Sequence, residues 1–598
     1  MAASYTPISE SSFRLLEFLD DSGLVCAMKP YCRRTAPPYI ALSYTWGPAP
    51  YQKGRSASTI YSMTLNDELF PVQQNLYDAL RHLGKRVRKR GQFFWVDALC
   101  INQNDMSERS EQVRHMKEIY EGAASTFAWL GIPFDEQETR LAVELMRDFN
   151  KYLHSGLCAN NDDIDIILRS VDANHPGFPA TSGAKQWTAW DGIAEMLNQP
   201  YWHRVWIYQE ATTPGPITFF CGEHAFNDIL LSATISCGIT FSKIPHFPTR
   251  FVEAAGPGGS AGDISSARLA REKGKGRCLI DLMQEMRKAD CTNARDRVYA
   301  PLGHAVDVPA GRIDVDYNRT VEELYTDVMR YLMLETKSGL AALGYVFTPA
   351  PESRNEYLKT KFETEVSSWV PDWRQRVSIL GFSHDRYLGE DKCPLYCPAP
   401  GVCEIKLCGM ELHVRGIVVE SVEITMLTDI FDDPKGSWKA PYAWYKQVMT
   451  DKGHIPGLAE AICRTLVADR SIATRSREEN DYKRTHKRGG SVNWSLFEQS
   501  RDELDKESQM QMEDMDDTMF SVCYGKKMAV LGDSRPAILP PAARFGDKIA
   551  AFRGGRVLYV LRSVPDGFAF IGECYVDAWM DGSLAEGTHH FDTTLKLI

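Results

Sequence analysis

No run in this 598-residue chain reaches the roughly 18 consecutive apolar residues needed to cross a bilayer. An uncharged candidate such as Ile229 to Ser242 is too short and contains Ser, Thr and Gly, so no membrane span is expected. The opening MAASYTPISESS has neither a basic stretch nor a following apolar one, which argues against a secretory leader and makes the cytoplasm the default compartment. Positive charge is also in deficit: 68 Lys plus Arg stand against 79 Asp plus Glu, a formal net charge of −11. Tight nucleic-acid binding needs a basic stripe to displace counterions, so no nucleic-acid partner is expected. Paired C-x2-C knuckles, a G-x-x-x-x-G-K-[ST] phosphate loop, an H-E-x-x-H helix and internal repeats are all missing. Cys393, Cys397, Cys403 and Cys408 lie close in sequence but lack the spacing that brings two thiolates onto one zinc. The 15 cysteines are odd in number and dispersed from Cys26 to Cys574, the usage of an intracellular protein with free thiols. Gly258-Gly-Ser-Ala-Gly262 matches the letters of a hydrolase elbow, but no buried strand precedes it.

What is present is an ordinary globular composition, 44% hydrophobic and 25% charged, at a length that suits several folded units. Short apolar runs alternate with helical patterns from residue 39 to residue 211, as in a parallel α/β sheet. Strands are expected at Tyr39 to Tyr44, Phe93 to Val96, Thr126 to Leu130 and Ile217 to Cys221. Helices are expected from Gln73 to Leu83, after Asp105 with Glu108 closing a capping box, and over Tyr201 to Ala211. Residues 135–200 read as an insertion with partial helices. The stretch 223–395 reads as mainly helical, with Leu279 to Met286 and Val321 to Leu334 most periodic and a flexible Gly/Pro-rich loop at Ala255 to Gly262. From 396 onward the runs shorten and alternate, giving a small β-rich unit. Within it, 470–517 carries too few large apolar side chains to offset ordering entropy, so disorder is expected there.

Three islands combine polar and aromatic residues: Ser43-Tyr44-Thr45-Trp46-Gly47, Trp95 to Gln103 with Asp97 and Asn102, and Trp202 to Glu210. The first two fall where a strand's carboxyl end meets a loop, the usual ligand position in parallel sheets. Read in full, YIALSYTWG, WVDALCINQNDMSERSEQVRHMKEIYEGAASTFAWLG and YWHRVWIYQE closely resemble the three signature blocks of the fungal heterokaryon incompatibility (HET) domain. Weaker family-like stretches follow at Asn293 to Tyr299, Asp316 to Arg319 and Ser368 to Arg374.

The resemblance implies a HET domain over 39–222, preceded by an extension over 1–38. It further implies a cytoplasmic role in non-self recognition as a cell-death effector, with self-association or other death-signalling proteins as partners. HET domains are in turn distantly similar to TIR domains, signalling modules of flavodoxin-like fold, some of which cleave NAD at the nicotinamide bond. Ser43-Tyr44 looks like the first-strand motif of that fold, and Trp206-x-x-x-Glu210 is similar to its Trp and catalytic Glu pair. By that resemblance Glu210 is the catalytic candidate, with Ser43, Tyr44, Trp46, Gly47, Asp97, Asn102, Gln103 and Trp206 around an NAD-like substrate and no resident cofactor or metal. Each residue has an alternative. Glu210 reads alternatively as a carboxylate salt-bridged to Arg204 or another Arg that ties the helix to the sheet, Asp97 as a turn cap, Asn102 and Gln103 as loop residues bonded to their own backbone, and the tryptophans as core. Arg109 is expected to pair with Glu108, Glu111 or Asp105. A non-enzymatic interaction module and a nucleotide-metabolite sensor without turnover are the competing functions.

Overall fold

The computed structural model describes residues 5–47, 60–86, 91–154, 188–241, 248–256, 259–350, 353, 366–376, 381–383, 395–419, 424–431, 439–471, 483–484, 505–585 and 591–598. They form two compact units, 1–319 and 320–598. The first is built on a nine-stranded mixed sheet. Its strands are β1 (Ser12–Phe18), β2 (Val25–Cys32), β3 (Tyr39–Tyr44), β4 (Ile60–Leu65), β5 (Glu68–Gln73), β6 (Phe93–Trp95), β7 (Ser125–Gly131), β8 (Ile217–Cys221) and β9 (His224–Asn227). Across the sheet they run β5-β4-β2-β1-β6-β3-β7-β8-β9. The four strands legible in the sequence, β6, β3, β7 and β8, are adjacent and mutually parallel.

Alternation along β3 separates two cores. Ile40, Leu42 and Tyr44 point to one face, where Leu76, Leu80 and Leu83 of the helix Gln74–Arg86 cover them. Tyr39 and Ala41 point to the other, with Trp95, Met116, Ile119 and Tyr120. Each such aliphatic or aromatic side chain removed from water contributes about 1.5–3 kcal/mol.

Several expectations need correction. The first 38 residues, expected as an N-terminal extension, supply β1 and β2, and β1 lies inside the sheet, antiparallel to both β2 and β6. The strand is obscured in the sequence by two charges, Arg14 and Glu17, within Ser12–Phe18. The Arg14 guanidinium, 2% exposed, is satisfied by Glu108 at 2.6 and 2.9 Å and by the carbonyls of Cys100 and Thr6 at 3.0 and 2.8 Å. The capping box is accordingly half formed. Asp105 accepts from the Ser107 and Glu108 amides, while Glu108 turns away to Arg14 and the Asn102 amide. In the 135–200 stretch, Glu136–His154 and Thr188–Leu197 are helices whose apolar faces join the core under β7 and β8. Asp162, Asp163 and Asp165 lie outside the described residues. Of the loop expected over Ala255 to Gly262, Ala255 ends the helix Thr249–Ala255, residues 260–262 open the helix Ser260–Glu272, and residues 257–258 lie outside the described residues.

In the second unit, Glu411–Val419, Lys548–Phe552, Leu558–Val564, Gly567–Val576 and Thr593–Leu597 pair in a closed circuit, a barrel-like arrangement. Val321–Leu334 is helical as expected, with a complete capping box between Thr320 and Glu323. Disorder over 470–517 is corrected in part. Lys506–Cys523 is a helix that buries Met512, Met515, Met519 and Val522, so flexible thioethers supply an apolar face within a charged sequence. Residues 472–482 and 485–504 lie outside the described residues. Among the described residues, no helix is long and apolar enough to cross a membrane.

Candidate functional site

The parallel strands direct the sequence islands toward one region at their carboxyl ends. β3 ends at Tyr44, leading to Thr45 and Trp46; β6 ends at Trp95, and Asp97 begins the short helix Asp97–Cys100. The third island is not one continuous α-helix. Pro200–His203 forms a 3-10 turn, Arg204 is extended, and an α-helix runs over Ile207–Thr212 with Trp206 at its N-cap. The break occurs because residues 203–205 pair with a neighbouring segment: Arg204 bridges Asp290 in parallel, and the Val205 amide donates to the Asp290 carbonyl at 2.8 Å. Trp206 and Glu210 still share one helical turn, since the Glu210 amide donates to the Trp206 carbonyl at 3.3 Å.

A cavity of about 750 Å³ opens here, lined by Trp46, Asp97, Gln103 and Trp206 of the sequence candidates, together with Arg109, Arg204, Arg295 and Tyr317. Its size is that of a site for a small organic ligand. Asp97 presents a carboxylate held on both oxygens. Oδ1 accepts from the Ala98 amide at 2.7 Å, and Oδ2 accepts from the Trp46 indole at 2.9 Å. Asp97 is the first residue of that short helix, whose N-cap is Val96, and its side chain borders the cavity. Burial, reinforced by the negative charge of Glu210, pushes the Asp97 carboxyl up to about 6, against the pull of Arg204. Trp46 is 44% exposed and is fixed by that one indole hydrogen bond.

Behind this surface lies a second polar layer. Glu210, 2% exposed, accepts from Arg204 at 3.2 and 3.5 Å and from the Ser43 hydroxyl, which also lies 2.8 Å from the Tyr201 hydroxyl. Burial works against the Arg204 charge, yet Glu210 and Asp97 outweigh it and raise its pKa. Glu210 and Ser43 are absent from the cavity lining, which Arg204 occupies instead. Tyr44 points into the opposite core, where burial holds its hydroxyl well above the usual range. Gly47 follows Trp46 with φ +112°, a conformation that favours glycine, and does not line the cavity. Asn102 is bonded within its own loop, its Oδ1 accepting from the Asn104 amide at 3.3 Å. Gln103 both lines the cavity and donates to the Asp97 carbonyl at 3.0 Å. Of the tryptophans, Trp95, Trp129 and Trp202 are core.

Sequence reasoning missed the wall contributed by residues 290–296 and 317. Asp296, 5% exposed, accepts from the Tyr317 hydroxyl at 2.6 Å and from the Trp206 indole, thereby fixing two aromatic walls. The sequence signal was present, since Asn293 to Tyr299 and Asp316 to Arg319 stand out as motifs, but nothing in their spacing assigned them to this cavity. Arg109 is corrected as well: its guanidinium sits 4.0 Å over the Tyr317 ring instead of pairing with an acid of its own helix.

Residues 39–210 match the family described as heterokaryon incompatibility protein (HET), and residues 525–595 match the Het-6 beta-barrel domain. The chain is 23% identical to heterokaryon incompatibility protein 6, OR allele, of Neurospora crassa over 93% of this chain and 91% of that protein. It is 30% identical to vegetative incompatibility protein HET-E-1 of Podospora anserina over 20% of this chain and 8% of that protein. No solved structure matches the chain.

Proposed function

We propose that this chain, a fungal HET protein with a Het-6 barrel in its second unit, acts in cytoplasmic non-self recognition and binds an NAD-like dinucleotide in the cavity of its first unit. The observation that carries the binding is the convergence of Trp46, Asp97 and Trp206, from three separate sequence blocks, on one cavity beside Arg204. Indole faces suit a nucleobase, a carboxylate suits ribose hydroxyls, and a guanidinium suits phosphate oxygens. Counted along the chain, the parallel strands lie in the order 2-1-3-4, which agrees with a flavodoxin-like, hence TIR-like, core and with ligand binding at the strands' carboxyl ends. Occupancy of the cavity would bias self-association or recruitment of death-signalling partners, and clustering of the domains would trigger the cell-death reaction.

A second reading, cleavage of NAD at its nicotinamide bond by Glu210, is favoured by the one-turn spacing of Trp206 and Glu210. Nicotinamide departs as a neutral molecule from a pyridinium, so no acid is needed on the leaving group; one carboxylate can oppose the developing oxocarbenium charge, and a water then adds to that centre and releases its proton to solvent. Turnover then requires the Glu210 carboxylate to leave Arg204 and reach the cavity.

Incubation of the full chain with NAD, followed by calorimetry and by nicotinamide release, separates these readings. Binding that Trp206→Ala weakens, without release, supports the sensor. Release that Glu210→Gln abolishes supports turnover. Equal binding by wild type and Trp206→Ala, or no binding at all, overturns the proposal for the cavity.

A further inference from the structure

A partly buried guanidinium usually finds a carboxylate, because its desolvation needs compensation. Arg109 and Arg295 both line the cavity, yet among the described residues neither has a carboxylate oxygen within the 4.0 Å of an ion pair. Neither is loose. Arg109 is braced over the Tyr317 ring at 4.0 Å, and Arg295 donates through Nε to the Arg319 carbonyl and through Nη1 to Asn293 at 3.3 Å. The nearby Asp296 carboxylate accepts from Tyr317 and Trp206. The Asp97 oxygens accept from Ala98 and Trp46 and form no ion pair with either arginine. Two oriented cations therefore border one cavity with no carboxylate oxygen at ion-pair distance, and both act on the Asp296 carboxylate only from farther off, by their charge.

From this geometry we infer that Arg109 and Arg295 form a phosphate subsite, and that it receives the pyrophosphate of the ligand. The assignment of pyrophosphate rests on reading the cavity as a dinucleotide site. Guanidinium forks match phosphate oxygens in charge and spacing, and such charge-assisted hydrogen bonds are the strong ones. The subsite is composite. Arg109 belongs to the helix Met106–Arg114 inside the HET match, whereas Arg295 and Tyr317 lie well beyond its end at residue 210. Asp296 is a positioning residue that orients Trp206 and Tyr317 around the two arginines. A chain cut shortly after residue 210 loses half of the subsite, so ligand recognition by this first unit is a property of residues 1–319 and not of the HET segment alone.

The test uses the full chain at low salt with three probes: inorganic pyrophosphate, NAD, and nicotinamide riboside, which has the sugar and base but no phosphate. Arg109→Gln and Arg295→Gln are each expected to weaken pyrophosphate and NAD by roughly tenfold or more, to cause no loss of affinity for nicotinamide riboside, itself a cation, and to keep the melting midpoint. Added salt should weaken NAD and spare the riboside. Arg295→Gln also loses the tie to residue 319, so Arg109→Gln and Arg109→Lys suffice if it fails to fold, with Lys retaining part of the affinity. Pyrophosphate binding that depends on Arg109, with no NAD binding, keeps the subsite and removes the dinucleotide. NAD binding indifferent to both arginines keeps the cavity reading and overturns the subsite. Failure of all three probes overturns both.

Discussion

The guanidinium of Arg204 lies 3.2 and 3.5 Å from the two carboxylate oxygens of Glu210, in a pair whose side chains are 13% and 2% exposed. The acid thereby seats the cation that borders the cavity. Truncating one partner of a buried pair strands the other, which costs about 3–5 kcal/mol. Glu210→Ala is expected to destabilise the first unit by roughly 3 kcal/mol in urea titrations. Adding Arg204→Met should recover a large part of that loss, because no unpaired charge remains. Additive losses in the double variant would show that the two side chains act independently.

The N-terminal hairpin is integral to the same unit. β1 separates β2 from β6 within the sheet, and Phe13, Leu15 and Leu16 are each at most 1% exposed. A chain beginning at Tyr39 should be insoluble or lack a cooperative melting transition, even though the HET match itself begins there. A soluble, cooperatively folding product would refute the structural role given to β1. Glu108→Ala, which leaves the Arg14 guanidinium buried without its carboxylate, should cost about 3 kcal/mol on the same grounds.

How far the sequence revealed this molecule depended on whether the physics was local. The parallel strands around β3 were readable because continuous apolar runs mark strands covered on both faces. β1 was not, because Arg14 breaks its run and finds compensation in Glu108, a partner that is remote in the chain and visible only after folding. Trp46 and Asp97 were legible as cavity candidates because their blocks lie where a strand's carboxyl end meets a loop, and Trp206 through its resemblance to the Trp of the TIR Trp and Glu pair. Glu210 was identified as important, but sequence left two roles open, and its side chain turns toward Arg204 and Ser43. The wall from Asp290 to Asp296 arrives through one backbone bridge to Arg204, a tertiary event without periodicity. The Lys506–Cys523 helix escaped because methionines, not leucines, form its buried stripe.

Asp97 is expected to make NAD binding pH-dependent. Its carboxyl is raised to about 6, first by burial and then by Glu210, and only the carboxylate form can accept from two ribose hydroxyl donors. NAD affinity should fall as pH drops from 7 to 5, and Asp97→Asn should bind weakly but without that slope. Stability runs the opposite way. The folded state takes up the proton more readily than the unfolded chain between about 6 and the ordinary value of 3.8, so acidification through that window stabilises the first unit. A flat NAD profile for wild type between pH 5 and 7 would remove Asp97 from the ligand contact.

The second unit carries its own titrating group. Glu573, in the strand Gly567–Val576, accepts from the Ser383 amide at 3.1 Å and from the Ser383 hydroxyl. Gly344 and Gly381 leave room for its carboxylate, since a Cβ at either would meet the Glu573 oxygens at 3.0 and 2.4 Å. Burial pushes this carboxyl up to about 7, with the Ser383 hydrogen bonds pulling it back. Because the raised value favours the protonated folded state, stability should decline as pH rises from the ordinary 4.5 to about 7, by roughly 3 kcal/mol in all. Glu573→Gln keeps the shape and removes the charge, so the variant should gain stability at pH 8 and lose the slope. Ser383→Ala takes away a donor to the carboxylate, which should carry the decline to higher pH. Urea midpoints of the second unit across pH 5 to 9 read all three chains, and an unchanged slope in Glu573→Gln would assign the titration to another group.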